Sequence, residues 1–350
     1  MDGRWTLPDW SRVLGAPDVQ GVIRTRPEDF QVEELPLVKP DGEGNHLWLE
    51  VRKRSTNTDW VARELASLAG VPVREIGYAG MKDRHAVTTQ WFSIGLQEAR
   101  DSGWQQWKLP DAVILQAHRH HRKLKRGTLR GNRFRIAVHE LDGDLANLEV
   151  RLRRVAQQGV PNYFGVQRFG HGGRNVEQGV HWLEHGGRIP RNKKSIYLSA
   201  VRSFLFNAVL SKRVDLGTWN QLVDGEVASL DGSHSGFQCH LPDLELKRRC
   251  DEFDIHPSGP LPGRGGRQPE REAAAVENTV LEPYRALVVA LENAGLKSAR
   301  RSLRLVPDSM VWELMDSQLV LKFDLPPGAY ATAVLRELVS AAPVSISGIK

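Results

Sequence analysis

The chain has 350 residues, 40% of them apolar and 26% charged, which is enough to bury a full core and to form two domains. No apolar run approaches the ~18 residues of a membrane helix. Met1-Asp2-Gly3-Arg4-Trp5 has neither the charged start nor the apolar stretch of a secretory leader, so a cytoplasmic protein with no membrane partner is expected. A net charge of +6 and a pI near 9.4 favour polyanions as partners.

In chain order, Val22-Ile23-Arg24 reads as a strand that turns at Arg26-Pro27-Glu28-Asp29 into an alternating segment, Phe30 to Glu33. A second turn, Asp41 to Gly44, launches a strand with Leu47, Leu49 and Val51 on one face and Trp48, Glu50 and Arg52 on the other. Together these strands predict an antiparallel meander. The spacing of Val61, Leu65 and Leu68 predicts a helix from about Thr58 to Gly70.

Between that helix and a strand at Trp91-Phe92-Ser93-Ile94 lies Gly77-Tyr78-Ala79-Gly80-Met81-Lys82-Asp83-Arg84-His85. One carboxylate sits there among Lys82, Arg84 and His85, and nearby positive charge favours its ionised form. An oriented, ionised carboxylate on a loop can act as nucleophile or general base, which makes Asp83 the candidate catalytic residue. The plainer alternative is a solvated turn with Asp83 bonded to local backbone N–H groups.

From His118 to Arg135 there are eight Lys or Arg residues, three histidines and no acid. Arg119, Arg122, Lys123, Lys125, Arg126, Arg130, Arg133 and Arg135 cannot all find internal partners. Because Phe134, Ile136 and Val138 alternate with Arg133 and Arg135, one strand can bury an apolar face and offer guanidinium groups to phosphates on the other. His118, His120 and His121 are split between strand faces with no acidic co-ligand nearby, so no metal is expected. Asp144 as N-cap, Leu145, Leu148, Leu152 and Val155 on one face, and Gly159 past the end predict a helix.

Pro161 to Asn175 then interleaves Tyr163, Phe164 and Phe169 with Arg168, Arg174 and glycines. Such a stretch suits unpaired bases and a sugar-phosphate backbone, or else is a glycine-rich loop whose rings are core. A helix from Ser195 to Leu210, a long proline- and glycine-rich loop from Pro257 to Pro269, and helix from Glu270 to Gly295 broken at Pro283 follow. Cys239 and Cys250, even with His240, fall short of a zinc set and read as reduced thiols. The chain closes with a strand at Leu319 to Leu325, a turn at Pro326-Pro327-Gly328, and a helix marked by Tyr330, Val334 and Leu338.

Five segments in order, Arg26 to Glu33, Gly80 to Thr88, Arg130-Gly131-Asn132-Arg133-Phe134, Asn162 to Gly170 and Leu325 to Thr332, resemble the TruD family of tRNA pseudouridine synthases. The resemblance implies an α/β (α+β) protein: a catalytic domain around a mixed, mainly antiparallel sheet, with an inserted α/β domain. The catalytic domain would comprise residues 1–157 and 305–350, and the insertion 158–304. It implies that Asp83 is the catalytic aspartate, and that Phe30, Asn132, Phe134 and Tyr330 surround the target uridine. Arg24 falls where relatives can carry lysine near the carboxylate, and Tyr330 where they can carry phenylalanine; arginine cannot readily give up a proton.

The implied reaction isomerises uridine to pseudouridine in tRNA, at uridine 13 of the D-arm, with the base flipped out and with no cofactor. A monomer is expected. Two readings from other classes compete: a non-catalytic tRNA-binding protein indifferent to Asp83, and a methyltransferase, for which the sequence offers no strand-to-glycine-loop signal.

Overall fold

The computed structural model describes residues 5–95, 103–233 and 235–343, so most of the amino-terminal stretch weighed as a leader lies outside the described residues. Contacts divide the chain into two compact units, one formed by 18–149, 307–328 and 339–350, the other by 1–17, 150–306 and 329–338.

The first of these units is a sheet of ten described strands carrying one helix. Its strands are β1 (Gln20–Ile23), β2 (Phe30–Pro36), β3 (His46–Arg54), β4 (Ile76–Tyr78), β5 (Val87–Gly95), β6 (Ala112–His120) and β7 (Leu129–Asp142), joined by Asp308–Met315, Gln318–Leu325 and Ser340–Pro343. The expected meander is not what forms. β2 and β3 are not neighbours, because β5 lies between them, parallel to β2 and antiparallel to β3. The cause is α1 (Thr58–Ala69), a crossover that returns the chain to the sheet's interior. The sheet is therefore mixed, and mainly antiparallel.

The helix packs on one face because Val61 and Leu65 meet Leu47, Leu49 and Val51 of β3 and Phe92 and Ile94 of β5, all buried. Each fully buried side chain of this size contributes about 1.5–3 kcal/mol. Gly70 ends α1 in the left-handed conformation expected of a C-terminal glycine. On the other face of β3, Trp48 is buried with Trp91 and Leu124 and donates its indole N–H to the Arg122 carbonyl, a satellite core that alternation alone left among polar neighbours.

The second unit is organised on the helix Arg191–Asp215, longer than the sequence pattern marked, whose Leu198, Phe204, Leu205 and Leu210 are buried. Tyr163, Phe164 and Phe169 join that core, so the rings of the Asn162 segment are core residues rather than exposed platforms for bases. The expected loop at 257–269 contains a strand, Ser258–Leu261, paired with Ala299–Ser302. The helix Ala331–Leu338 is tied to this unit: Arg336 donates to the Trp10 and Ser11 carbonyls, and Glu337 accepts the Val13 and Leu14 N–H groups. Residues 1–17 and 329–338 thus group with 150–306, a division by contacts that differs from the boundaries implied by resemblance. The helix Leu145–Gln158, capped by Asp144 as expected, spans the division. Among the described residues no helix is long and apolar enough to cross a membrane.

One buried carboxylate sets the turn from β1 to β2. Asp29 accepts from the Thr25 hydroxyl, from Arg26 N–H (3.0 Å) and Nε (3.2 Å), and has His139 Nε2 at 2.9 Å. Burial alone would raise its pKa, but these hydrogen bonds outweigh burial and hold it at about 2. Its folded value lies below the ordinary 3.8, so its stabilisation is complete above that pH and is lost as pH falls through about 2. Asp29→Asn should cost about 1–3 kcal/mol near neutral pH. In urea unfolding, the gap between wild type and variant should narrow between pH 5 and pH 2; a constant gap would contradict the assignment.

Candidate active site

Asp83 lies on the loop between β4 and β5, over the sheet face that α1 covers. The loop is fastened by side chains that are themselves buried. Thr58, at the start of α1, donates its hydroxyl to Gln90 Oε1 (2.8 Å) and accepts the Lys82 N–H (3.1 Å), while Gln90 Nε2 donates to the Gly80 carbonyl (3.2 Å). Lys53, 0% exposed, donates its ammonium to the carbonyls of Thr56 (2.5 Å) and Asp83 (3.2 Å). Burial pushes the Lys53 ammonium down to about 8, against the opposing pull of the Asp83 charge.

The Asp83 carboxylate is oriented at both oxygens. Oδ2 accepts from Arg24 Nη2 at 2.7 Å and Oδ1 accepts the His85 backbone N–H at 2.9 Å. The sequence neighbours expected to crowd it do not supply its ionic partner: Arg84 and His85 are exposed, and Lys82 is committed elsewhere. The cation comes from Arg24, 59 residues earlier in the chain. Arg24 adopts φ 61°, a left-handed conformation uncommon for a residue with a side chain, and its guanidinium lies 4.4 Å from the centre of the Phe30 ring. The Asp29 turn immediately downstream holds that geometry.

The two phenylalanines expected near a substrate meet here. Phe30 contacts Phe134 edge to face, with ring centres 6.1 Å apart, and Phe134 stacks on Phe323 at 5.7 Å. Both are largely buried and form an apolar floor. Asn132 is two residues along β7 from Phe134 and so shares its face. Its Oδ1 accepts from Lys82 Nζ at 2.6 Å, and Lys82 pairs with Glu34 at 2.9 Å, with both side chains almost fully buried. Glu34 was not singled out in the sequence; its place in β2 among apolar neighbours is the only signal that could have marked it. Burial raises its pKa, outweighing the attraction of Lys82.

Asp83, Arg24, Phe30, Asn132 and Phe134 therefore belong to one cluster. Tyr330 belongs to the other unit, where its hydroxyl accepts from Arg168 Nε (2.9 Å). Arg168 also donates to Ser199, so it is a half-buried structural contact as well as a cation.

The basic block is divided. Arg122, Lys125, Arg126 and Arg130 are exposed; Arg119 and Lys123 are half-buried, and Lys123 donates to the Arg74 carbonyl. Arg133 finds the internal partner that the sequence did not offer, Asp324 on the neighbouring strand, through two bonds of 2.9 Å. By alternation Arg133 and Arg135 face away from Asn132 and Phe134, toward a groove of about 800 Å³ whose lining does not include Asp83. The histidine run also gains acidic partners absent from its local sequence: His120 bonds Asp41, and His121 lies 3.4 Å from Glu43. Among the described residues no group of three or more candidate ligands could hold a metal ion.

The chain matches known proteins along most of its length. The family model for tRNA pseudouridine synthase D (TruD) matches residues 11–181 and 174–338. The chain is 47% identical to tRNA pseudouridine synthase D of Methylococcus capsulatus, over 96% of this chain and 95% of the relative. It is 48% identical to the protein of the same name from Nitrosococcus oceani, over 92% and 91%. A crystal structure from Methanosarcina mazei, put forward as a tRNA pseudouridine synthase D, superposes with a TM-score of 0.73 at 23% identity, covering 95% of each chain, and shares the fold.

The buried Lys53 gives a test of this packing. The unfolded chain keeps a proton on that amine to about 10.5 and the folded protein only to about 8. The unfolded state binds more protons between those values, so this residue makes stability rise with pH across that window. Relative to Lys53→Met, wild type should gain stability from pH 8 to pH 10 in denaturant unfolding; a difference independent of pH would mean that the amine is not desolvated.

Proposed function

The chain belongs to the tRNA pseudouridine synthase D (TruD) family and is a tRNA pseudouridine synthase, an isomerase, and we propose that Asp83 is the carboxylate on which its reaction turns. The observation that carries this reading is the fixing of both Asp83 oxygens, by Arg24 and by the His85 N–H, on a side chain that remains about a third exposed. An oriented anion that substrate can reach is what attack on C1′, or removal of the C2′ proton, requires. Arg24 serves as a fixed charge beside it and does not exchange a proton.

The reaction breaks the N1–C1′ bond, turns the base and joins C5 to C1′, so nothing is oxidised and no group is lost. The base must leave its stack, at a cost of about a few kcal/mol, which contact with the apolar floor of Phe30 and Phe134 offsets. The target in this reading is uridine 13 of the D-arm, and the enzyme works as a cytoplasmic monomer. The exposed cations Arg122, Lys125, Arg126 and Arg130 contact the RNA backbone.

Tritium release from unmodified tRNA carrying 5-³H-uridine tests the chemistry, since forming the C5–C1′ bond expels the C5 hydrogen. Wild type should release tritium, and Asp83→Asn should bind tRNA and release none. Turnover by Asp83→Asn close to wild type would sink the assignment, and binding without release by wild type would favour a non-catalytic RNA-binding protein. For the RNA contacts, tRNA affinity should fall steeply with salt, and replacing Arg122 and Lys125 by alanine should shallow the log–log slope by about 2. An unchanged slope would place those two side chains off the RNA.

A further inference from the structure

In the synthase reading Asn132 lines the target uridine, but an amide can read a base in two opposite ways. Its oxygen accepts and its NH₂ donates, and a flip of the side chain exchanges them. Here the choice is made by a neighbour. Lys82 Nζ lies 2.6 Å from the outer atom of the amide, and an ammonium group only donates. That atom must therefore be oxygen. Lys82 is held there by Glu34, 2.9 Å away with both side chains almost fully buried, and leaving either partner alone in that site is costly. The second atom of the amide, Nδ2, has no hydrogen-bond partner among the described residues and is not fully buried, so it is left for a ligand to bond.

We propose that the Glu34–Lys82 pair is a positioning device that locks the Asn132 amide with its NH₂ group toward the substrate base, so that the site offers a donor to a uracil carbonyl oxygen. The inference rests on the synthase reading above and adds to it the polarity of the contact. Uracil presents a carbonyl acceptor at C4, where cytosine presents an amine. A fixed donor bonds the first and meets another donor in the second, and a site built to hydrogen-bond one edge rejects the other through its unpaired groups. Glu34 and Lys82 touch no substrate; they act through Asn132.

The test is a near-isosteric swap. Asn132→Asp keeps an oxygen for Lys82 but shows the base acceptors only. If the amide donates, kcat/KM for tRNA should fall about a hundredfold at neutral pH and recover relative to wild type as pH is lowered, because only the protonated acid can donate; Glu34 and Lys82 pack against it and Asp83 and Arg24 share its cluster, so the variant is read against the wild-type profile. If the amide instead accepts from N3–H, the carboxylate is the better acceptor, and activity at neutral pH would stay near wild type, which overturns the proposal.

The combined variant Lys82→Met with Glu34→Gln removes the lock without leaving a buried charge alone. Competition between transcripts with uridine or cytidine at position 13 reads it without turnover. Wild type should prefer the uridine transcript, and the combined variant should lose most of that preference while binding RNA as well as before. Equal binding of both transcripts by wild type, or an undiminished preference in the variant, overturns the proposal. Should wild type show the preference but release no tritium, the synthase reading falls and the amide lock stands. Should wild type release tritium while Asn132→Asp stays active at neutral pH, the lock falls and the synthase reading stands.

Discussion

Hydrogen bonds from buried polar side chains fix the loop that carries Asp83 over its face of the sheet. Four polar side chains are driven under the 80–83 loop by their places in strands and helix: Thr58 at the start of α1, Gln90 in β5, Lys53 in β3 and Glu34 in β2. Each of the first three bonds the loop's backbone or a neighbour that does so, and Glu34 pairs with the Lys82 side chain. The loop has no regular structure of its own, yet its position is specified, because displacing it would strand several of these groups in a low-dielectric interior.

That scaffold separates two cations that are adjacent to the carboxylate in different senses. Lys82 is next to Asp83 in the chain but points into the protein, toward Glu34 and Asn132. Arg24 is distant in the chain but reaches the carboxylate, held by an uncommon backbone conformation and by the Asp29 turn. Lys82 and Asp83 point in different directions, so a carboxylate beside a lysine in sequence takes its charge partner from the turn that follows β1. Arg133 shows the same separation: beside Asn132 in β7, it is turned to the opposite face and neutralised there by Asp324.

The basic block consequently contributes fewer free cations than its composition suggests. Exposed arginines and lysines near 122–130 are available to a polyanion, whereas Arg133 is paired and Arg168 is bound to Tyr330 and Ser199. The aromatic-glycine stretch behaves alike. Tyr163, Phe164 and Phe169 fill a core, the second of the two readings that the stretch allowed.

Much was legible in the residues alone. Period-two and helical spacing fixed β3, β5, β7, α1 with its terminal glycine, the helix after Asp144 and the break at Pro283, because local backbone preference and burial there demand the same thing. The motif order identified the family, and one carboxylate on a glycine-bounded loop marked the candidate centre. Strand order, the partners of Asp83, the burial of Trp48 and the pairing of Arg133 were decided only by the fold. Each depends on contact between segments tens to hundreds of residues apart, and periodicity, which reports the face a residue occupies, carries no information about which strand lies opposite it.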